Sequence, residues 1–252
     1  MWPIFARVSQ AEKAIKKLIE ETAGVYHVPD SGPGPQYVIE GNRINGFFGE
    51  VSANQLISGD DLASEIGLTA GTAFNSDAGW LKVVYREKVL FVAKKPFRYE
   101  LSWEDIYDVG AIGELAEPYN GTVAQDAEVT INGDTYRVRL LKGGEDDTEA
   151  DKEGAYGRNE WNTIMYSLVS CADDGHLGAM IGQLWASYSN DDVGIGGESG
   201  PDGKAIWCQE TDPDDSSRRV RRGFARVSDW ITSSSDSSRT SRGWRPVLQL
   251  ID

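Results

Sequence analysis

Apolar positions along the chain fall into three regimes. The first is helical: Ile4, Val8, Ala11, Ile15, Leu18, Thr22 and Val25 recur alternately four and three apart. That is a seam of about three heptads, the lower limit for a coiled coil. Ser9-Gln10-Ala11-Glu12 forms a capping box, so a helix is predicted from Ser9 to about Thr22, with Glu12, Lys16 and Glu20 paired along it. A helix this short is marginal alone in water and must pack on something. The second regime is broken. Pro29-Asp30-Ser31-Gly32-Pro33-Gly34-Pro35 excludes helix and central strand and reads as a linker. Gly46 to Ala73 is a small, glycine-punctuated segment, with a short helix capped at Asp60 or Asp61 and ended by Gly67.

From Gly79 the pattern turns to strands. Leu81–Tyr85 and Val89–Ala93 are apolar runs joined by Arg86-Glu87-Lys88, a hairpin candidate. Val129–Ile131, Asn132-Gly133 and Tyr136–Leu141 give a second hairpin, because Asn-Gly suits the positive φ values of a type I′ turn. Two short helices interrupt the strands. One starts at Ser102, with Asp105 three residues on. The other runs Asn159–Leu168 and carries Trp161, Ile164, Met165 and Leu168 on one face. Gly143–Gly157, Ser189–Gly203, Thr211–Ser217 and Ser233–Ser241 are rich in Gly, Ser and Asp and read as loops. The pattern predicts an α+β domain over 79–252, a linker and small segment over 29–78, and a helix for attachment or oligomerisation over 1–28.

Charge narrows the partners. A net charge of -15 over 252 residues argues against a nucleic-acid surface, which needs a basic face to displace counterions. The one basic island, Arg218-Arg219-Val220-Arg221-Arg222, reads as balance for Asp212, Asp214 and Asp215. No apolar run approaches the ~20 residues that span a bilayer, and Met1-Trp2-Pro3-Ile4 lacks the features of a signal peptide. Synthesis and folding in a cytoplasm, without membrane insertion, are expected.

Candidate chemistry is sparse. Cys171 and His176 are five apart but match no nucleophile signature, and two Cys make no secreted disulfide framework. No spacing of Cys and His suits zinc, and no phosphate-binding or hydrolase motif occurs. Asn190-Asp191-Asp192 with Glu198 and Asp202 supplies oxygens for a hard cation but reads as a solvated acidic loop. Asp146-Asp147 and Asp214-Asp215 are adjacent in polar loops and give no support for a glycosidase pair. Neither a catalytic residue nor a cofactor or metal site is expected.

Five of the eight Trp lie in the last hundred residues, four of them in phrases of fixed order. They are Glu160-Trp161, Leu184-Trp185, Trp207-Cys208-Gln209-Glu210, then Arg219-Val220-Arg221-Arg222-Gly223 and Gly243-Trp244-Arg245-Pro246-Val247-Leu248. This order resembles the C-type-lectin-like fold in its formylglycine-generating-enzyme-like variant. It is more similar still to bacteriophage virion proteins, tail or appendage components, that end in the same G-W-R-P-V-L phrase. The resemblance covers roughly Gly79 to Asp252. It implies a virion structural protein that displays a lectin-like domain to a host-surface glycan or protein, with other virion proteins and copies of itself as partners. A capsid decoration or neck protein, and an enzyme acting on surface glycans, are the rival readings.

The resemblance does not carry the enzyme's chemistry, since no Cys follows Cys208. The lectin sugar-binding triplets are also missing; Glu117-Pro118-Tyr119-Asn120 is a near miss that comes too early. In proteins of this kind the late loops present the binding face. Trp161, Trp185, Trp207 and Trp244 read as core, whereas Trp230 stands at the root of a polar loop, as aromatic anchors do in paratopes. The ligand face is therefore expected at Tyr188, Asn190 and Asp191 in one loop, and at Asp229, Trp230, Ser234, Asp236 and Arg239 in another.

Overall fold

Two apolar cores, one on each side of a shared sheet, explain the strand sequences. The computed structural model describes residues 26–114, 122–144, 159–169, 184–196 and 203–251. Two short strands, β1 (Tyr26–His27) and β2 (Tyr37–Val38), pair as a separate ribbon. A seven-stranded sheet follows, built from β3 (Glu40–Gly41), β4 (Asn45–Val51), β6 (Trp80–Tyr85), β7 (Lys88–Ala93), β9 (Glu128–Ile131), β10 (Asp134–Arg139) and β15 (Val247–Ile251). Its order is β3-β4-β6-β7-β15-β10-β9, with every neighbour antiparallel. The second sheet has six strands: β5 (Thr72–Ala73), β8 (Arg98–Tyr99), β11 (Ala205–Asp212), β12 (Asp215–Arg222), β13 (Trp230–Ser234) and β14 (Arg242–Trp244). Its order is β13-β12-β11-β14-β8-β5, and only the β11–β14 pair is parallel. Among the described residues the architecture is mostly β, with three short helices, α1 (Gly59–Glu65), α2 (Trp103–Tyr107) and α3 (Glu160–Leu168).

Alternation along the strands sorts side chains between the cores. On β7, Val89, Phe91 and Ala93 join the first core, while Leu90 and Val92 join the second. On β11, Trp207 enters the first core, and Ile206 and Cys208 the second. Trp161, Trp207 and Trp244 are fully buried and Trp185 nearly so, as their apolar flanks predicted. The indole nitrogens of Trp80, Trp103, Trp161 and Trp207 donate to the carbonyls of Ile57, Cys208, Val227 and Leu101, which lets large rings enter the core without stranding a polar atom.

Local signals hold where chemistry is local. Ser102 and Asp105 form the reciprocal capping box of α2, and Asn159 caps α3. Asn132 and Gly133 both take positive φ. The cap of α1 is Ser58, which accepts from the Asp61 amide; Asp60 and Asp61 lie in the first turn instead.

Several expectations are corrected. Thr211–Ser217 is not an open loop. β11 runs to Asp212 and β12 starts at Asp215, so the polar residues are exposed strand ends around a tight turn. Ser233 and Ser234 likewise continue β13. The arginine island is not a surface counter-charge. Arg219, Arg221 and Arg222 are buried in β12, over the rings of Trp103, Trp207 and Trp161, while Arg218 lies 3.6 Å from Asp212. Nor does Pro29–Pro35 hang free: the carbonyls of Gly32, Pro33 and Pro35 accept from Lys82 Nζ at 3.2, 3.0 and 2.7 Å. β4, drawn from the 29–78 segment, is hydrogen-bonded along β6 in the same sheet. The Ser9–Thr22 helix, Cys171, His176 and Glu117–Asn120 lie outside the described residues.

Candidate functional site

The closing phrase Gly243–Leu248 builds scaffold rather than ligand contacts. A side chain at Gly243 would meet the Gly203 carbonyl, so the backbones approach as only glycine allows. Arg245 is fully buried and donates to the carbonyls of Val193 and Gly194. It thereby pins the 189–196 loop from beneath. Within that loop, Ser189 and Asp192 exchange hydrogen bonds of 2.7–3.2 Å, while Val193 and Ile195 plug into the second core.

Tyr188 stands where this loop meets the seven-stranded sheet. Its hydroxyl donates to Glu50 Oε1 at 2.7 Å, Lys94 Nζ reaches the same oxygen at 2.8 Å, and the ammonium lies 5.2 Å from the ring centroid. Burial raises the Glu50 pKa, but the bonds from Lys94 and Tyr188 outweigh it and hold the carboxyl below its usual value. Burial and Glu50 both push the Tyr188 phenol up. Glu50 and Lys94 escaped sequence reasoning because each is a single charge on a distant strand.

Asn190 and Asp191 follow. Asp191 is exposed, 3.5 Å from Lys204. Asn190 is half-buried, and its Oδ1 is buried with no hydrogen-bond partner. The 189–196 loop touches the turn after β12, where the Gly196 amide donates to the Gly223 carbonyl at 3.2 Å. In that turn Asp229 Oδ2 accepts from the amides of Ala225 and Arg226 at 2.7 and 2.8 Å. Asp229 is therefore a turn-former whose acceptor is occupied. Trp230 is half-buried against the second core, with its indole nitrogen buried and unpartnered.

Ser234, Asp236 and Arg239 lie elsewhere. The register pairs Trp230 with Arg222 and Ser234 with Arg218, placing the two at opposite ends of β13, roughly 13 Å apart. Ser234 Oγ and Asp236 Oδ1 bond to each other at 2.5 Å, and Arg239 is exposed. The expected face thus divides. Asn190, Asp191, Asp229 and Trp230 belong to adjoining segments, Tyr188 opens the first of them, and the other three residues form a second group beside α2, where Ser235 Oγ donates to Glu104.

Glu210 is a strongly perturbed carboxyl group. Burial lifts its pKa to about 7, although the amides of Gly144 and Gly143 each donate to it at 2.8 Å. It is fully buried, so it anchors the 143–144 backbone and offers no approach for a substrate. A folded pKa raised from 4.5 to about 7 means the native state holds the extra proton between those values. Stability from this group is complete below about 4.5 and is lost as pH rises through about 7. Relative to Glu210→Gln, the wild type should lose on the order of 3 kcal/mol across that window, read from urea midpoints at several pH values. Parallel pH profiles for the two proteins would contradict this.

Cys208 is buried and free, and burial raises its thiol well above the ordinary value, which makes it an inert core residue. Among the described residues no three His, Cys, Asp or Glu side chains gather as metal ligands, and no helix is long and apolar enough to cross a membrane. Comparison of the chain with protein-family models, with curated proteins and with solved structures finds no match.

Proposed function

We propose that this chain is a non-enzymatic bacteriophage virion component, in a tail or appendage, that displays a C-type-lectin-like domain for binding a host-surface glycan or protein. In this reading the predicted N-terminal helix attaches it to other virion proteins or to copies of itself, after synthesis in the host cytoplasm. The sequence phrases that suggested the formylglycine-generating-enzyme-like variant form the buried frame, and the adjoining polar segments are left to make contacts.

One observation carries the binding role. Asn190 Oδ1 and Trp230 Nε1 sit on adjoining segments, each without an intramolecular partner, on side chains that are half-buried. Buried polar atoms are ordinarily satisfied, and an unused acceptor and an unused donor on adjoining segments are what a ligand hydroxyl or amide would complete. Asp229 favours the rival reading of a purely structural decoration or neck protein, because its carboxylate is already used within its own turn.

Two experiments decide. Antibody fragments raised against the purified protein should decorate the outside of the particle in electron micrographs and block adsorption; particles that carry no epitope would sink the virion reading. The Asn190→Ala, Trp230→Phe double variant removes both unpartnered atoms while keeping an aromatic body. It should retain its melting temperature and weaken cell attachment about tenfold or more. Unchanged attachment by the folded variant would reject this face and favour the structural role.

A further inference from the structure

A cleft of about 300 Å³ opens on the seven-stranded sheet, away from the 189–196 loop. Its floor is one face of four neighbouring strands. The register aligns Arg137 of β10 with Gln249 of β15, Gln249 with Leu90 of β7, and Leu90 with Val83 of β6. Further along this face Val83, Leu90 and Val247 pack in the second core with α3. Beyond the first turn of that helix the same face becomes cationic: Arg86, Lys88, Arg137, Arg139 and Lys142 line the cleft, against the carboxylates of Glu114 and Glu160. Five cations against two carboxylates are concentrated here in a chain of net charge -15.

Intramolecular bonds do not use up this charge. Arg139 is satisfied: it holds Glu160 through two bonds of 2.8 and 2.6 Å and donates from Nε to Gln249 Oε1 at 3.1 Å. Lys142 pairs with Glu114 at the rim. Arg137 reaches Glu128 only through Nη2, at 2.9 Å, and its Nε is buried with no partner. The Lys88 side chain makes no hydrogen bond among the described residues and is exposed, its charge felt by Glu114 only through space. With its oxygen bound to Arg139, Gln249 keeps its amide NH₂ as a donor. The donors left over therefore converge from three strands on one polar cleft of ligand size.

We propose that this cleft binds a small oxyanion-bearing sugar, either a sugar acid or a sugar phosphate, held by Arg137 and Lys88 with the Gln249 amide. A guanidinium with an unused Nε–H presents a fork suited to a carboxylate or phosphate, and a mobile ammonium at the mouth adds charge without fixing geometry. Tyr85 lines the cleft beside these donors and can meet the carbon face of a sugar ring, while Leu90 is fully buried beneath it. This site is separate from the Asn190–Trp230 face, so either can fail alone.

Calorimetric titration of the full chain tests it, with a uronic-acid disaccharide, a hexose phosphate, inorganic phosphate and the uncharged sugar counterparts as probes. One charged sugar should bind, its uncharged counterpart about tenfold or more weaker, and raised salt should weaken the first selectively. Which charged sugar binds separates carboxylate from phosphate. Inorganic phosphate should compete. The Arg137→Gln, Lys88→Gln variant should lose about tenfold or more with an unchanged melting temperature. Should that variant fold poorly, Lys88→Gln alone, at an exposed position, must still weaken binding. Failure of both charged sugars to bind, equal binding of charged and uncharged sugars, or full binding by folded Lys88→Gln and double variants would overturn the proposal.

Discussion

Replacing Arg139 with Met should destabilise the protein by about 3–5 kcal/mol, the largest single effect expected from any surface-to-core charge in this fold. The guanidinium is 6% exposed and Glu160 is 1% exposed, so neither has water to fall back on. With Arg139 gone, the Glu160 carboxylate keeps one described donor, the Lys142 amide at 2.8 Å, and becomes a buried, uncompensated charge. The damage should spread through α3, whose first residue is Glu160 and whose apolar stripe closes the second core. Urea denaturation would show a lower midpoint with an unchanged slope. The Arg139→Met, Glu160→Met double variant should recover most of the loss, because the cost lies in stranding one charge more than in losing the pair. If the double variant is as unstable as the sum of the singles, the two residues are not coupled as described.

Lys82→Met should cost about 2–4 kcal/mol, through a different mechanism. Lys82 is fully buried, its ammonium ringed by three carbonyls of the 32–35 segment and lying 4.9 and 5.5 Å from the ring centroids of Phe48 and Phe91. Methionine matches the shape of the stem but supplies no donor. Three carbonyls then lose their shared partner, and only that of Gly32 keeps a second described donor, Gln36 Nε2. The loss should be localised: the 29–36 segment should become a protease site while the two main sheets keep their protection. A variant that melts as one unit, with no early cleavage there, would show that the segment is held by something other than this ammonium.

How much of this was legible beforehand depended on distance along the chain. Caps, the Asn132-Gly133 turn and the apolar stripe of α3 are decided within a few residues and were readable. Trp161, Trp207 and Trp244 were readable as core because no surface accommodates so much apolar area at low cost. β12 was not. A strand written Arg-Arg-Val-Arg-Arg looks like surface until Trp103, Trp161 and Trp207 are known to lie beneath its guanidiniums. The Pro29–Pro35 segment misled for a related reason: its backbone is satisfied by side chains, Gln36 beside it and Lys82 about fifty residues away, and composition alone reports only its lack of regular structure. The loop face was half legible. Residue types marked Asn190 and Trp230, but the separation of Ser234 from Trp230 follows from the length of β13, which serine-rich sequence conceals. The cationic cleft was invisible, since its lining comes from residues 85 to 249 and no short stretch is basic enough to draw notice.

The position of β15 has a consequence for how the molecule is made. This strand lies between β7 and β10 and pairs antiparallel with both. A ribosome-bound chain that has emerged as far as Ser241 holds two half-sheets with facing, unfilled edges. Such edges recruit other strands, including those of neighbouring nascent copies. Completion of the central sheet thus waits for Val247–Ile251 to leave the exit tunnel, however much of the sheet has formed before it. Loss of those five residues would leave a gap through the middle of the sheet, not a shortened rim, and the product would be an aggregating fragment rather than a smaller folded protein.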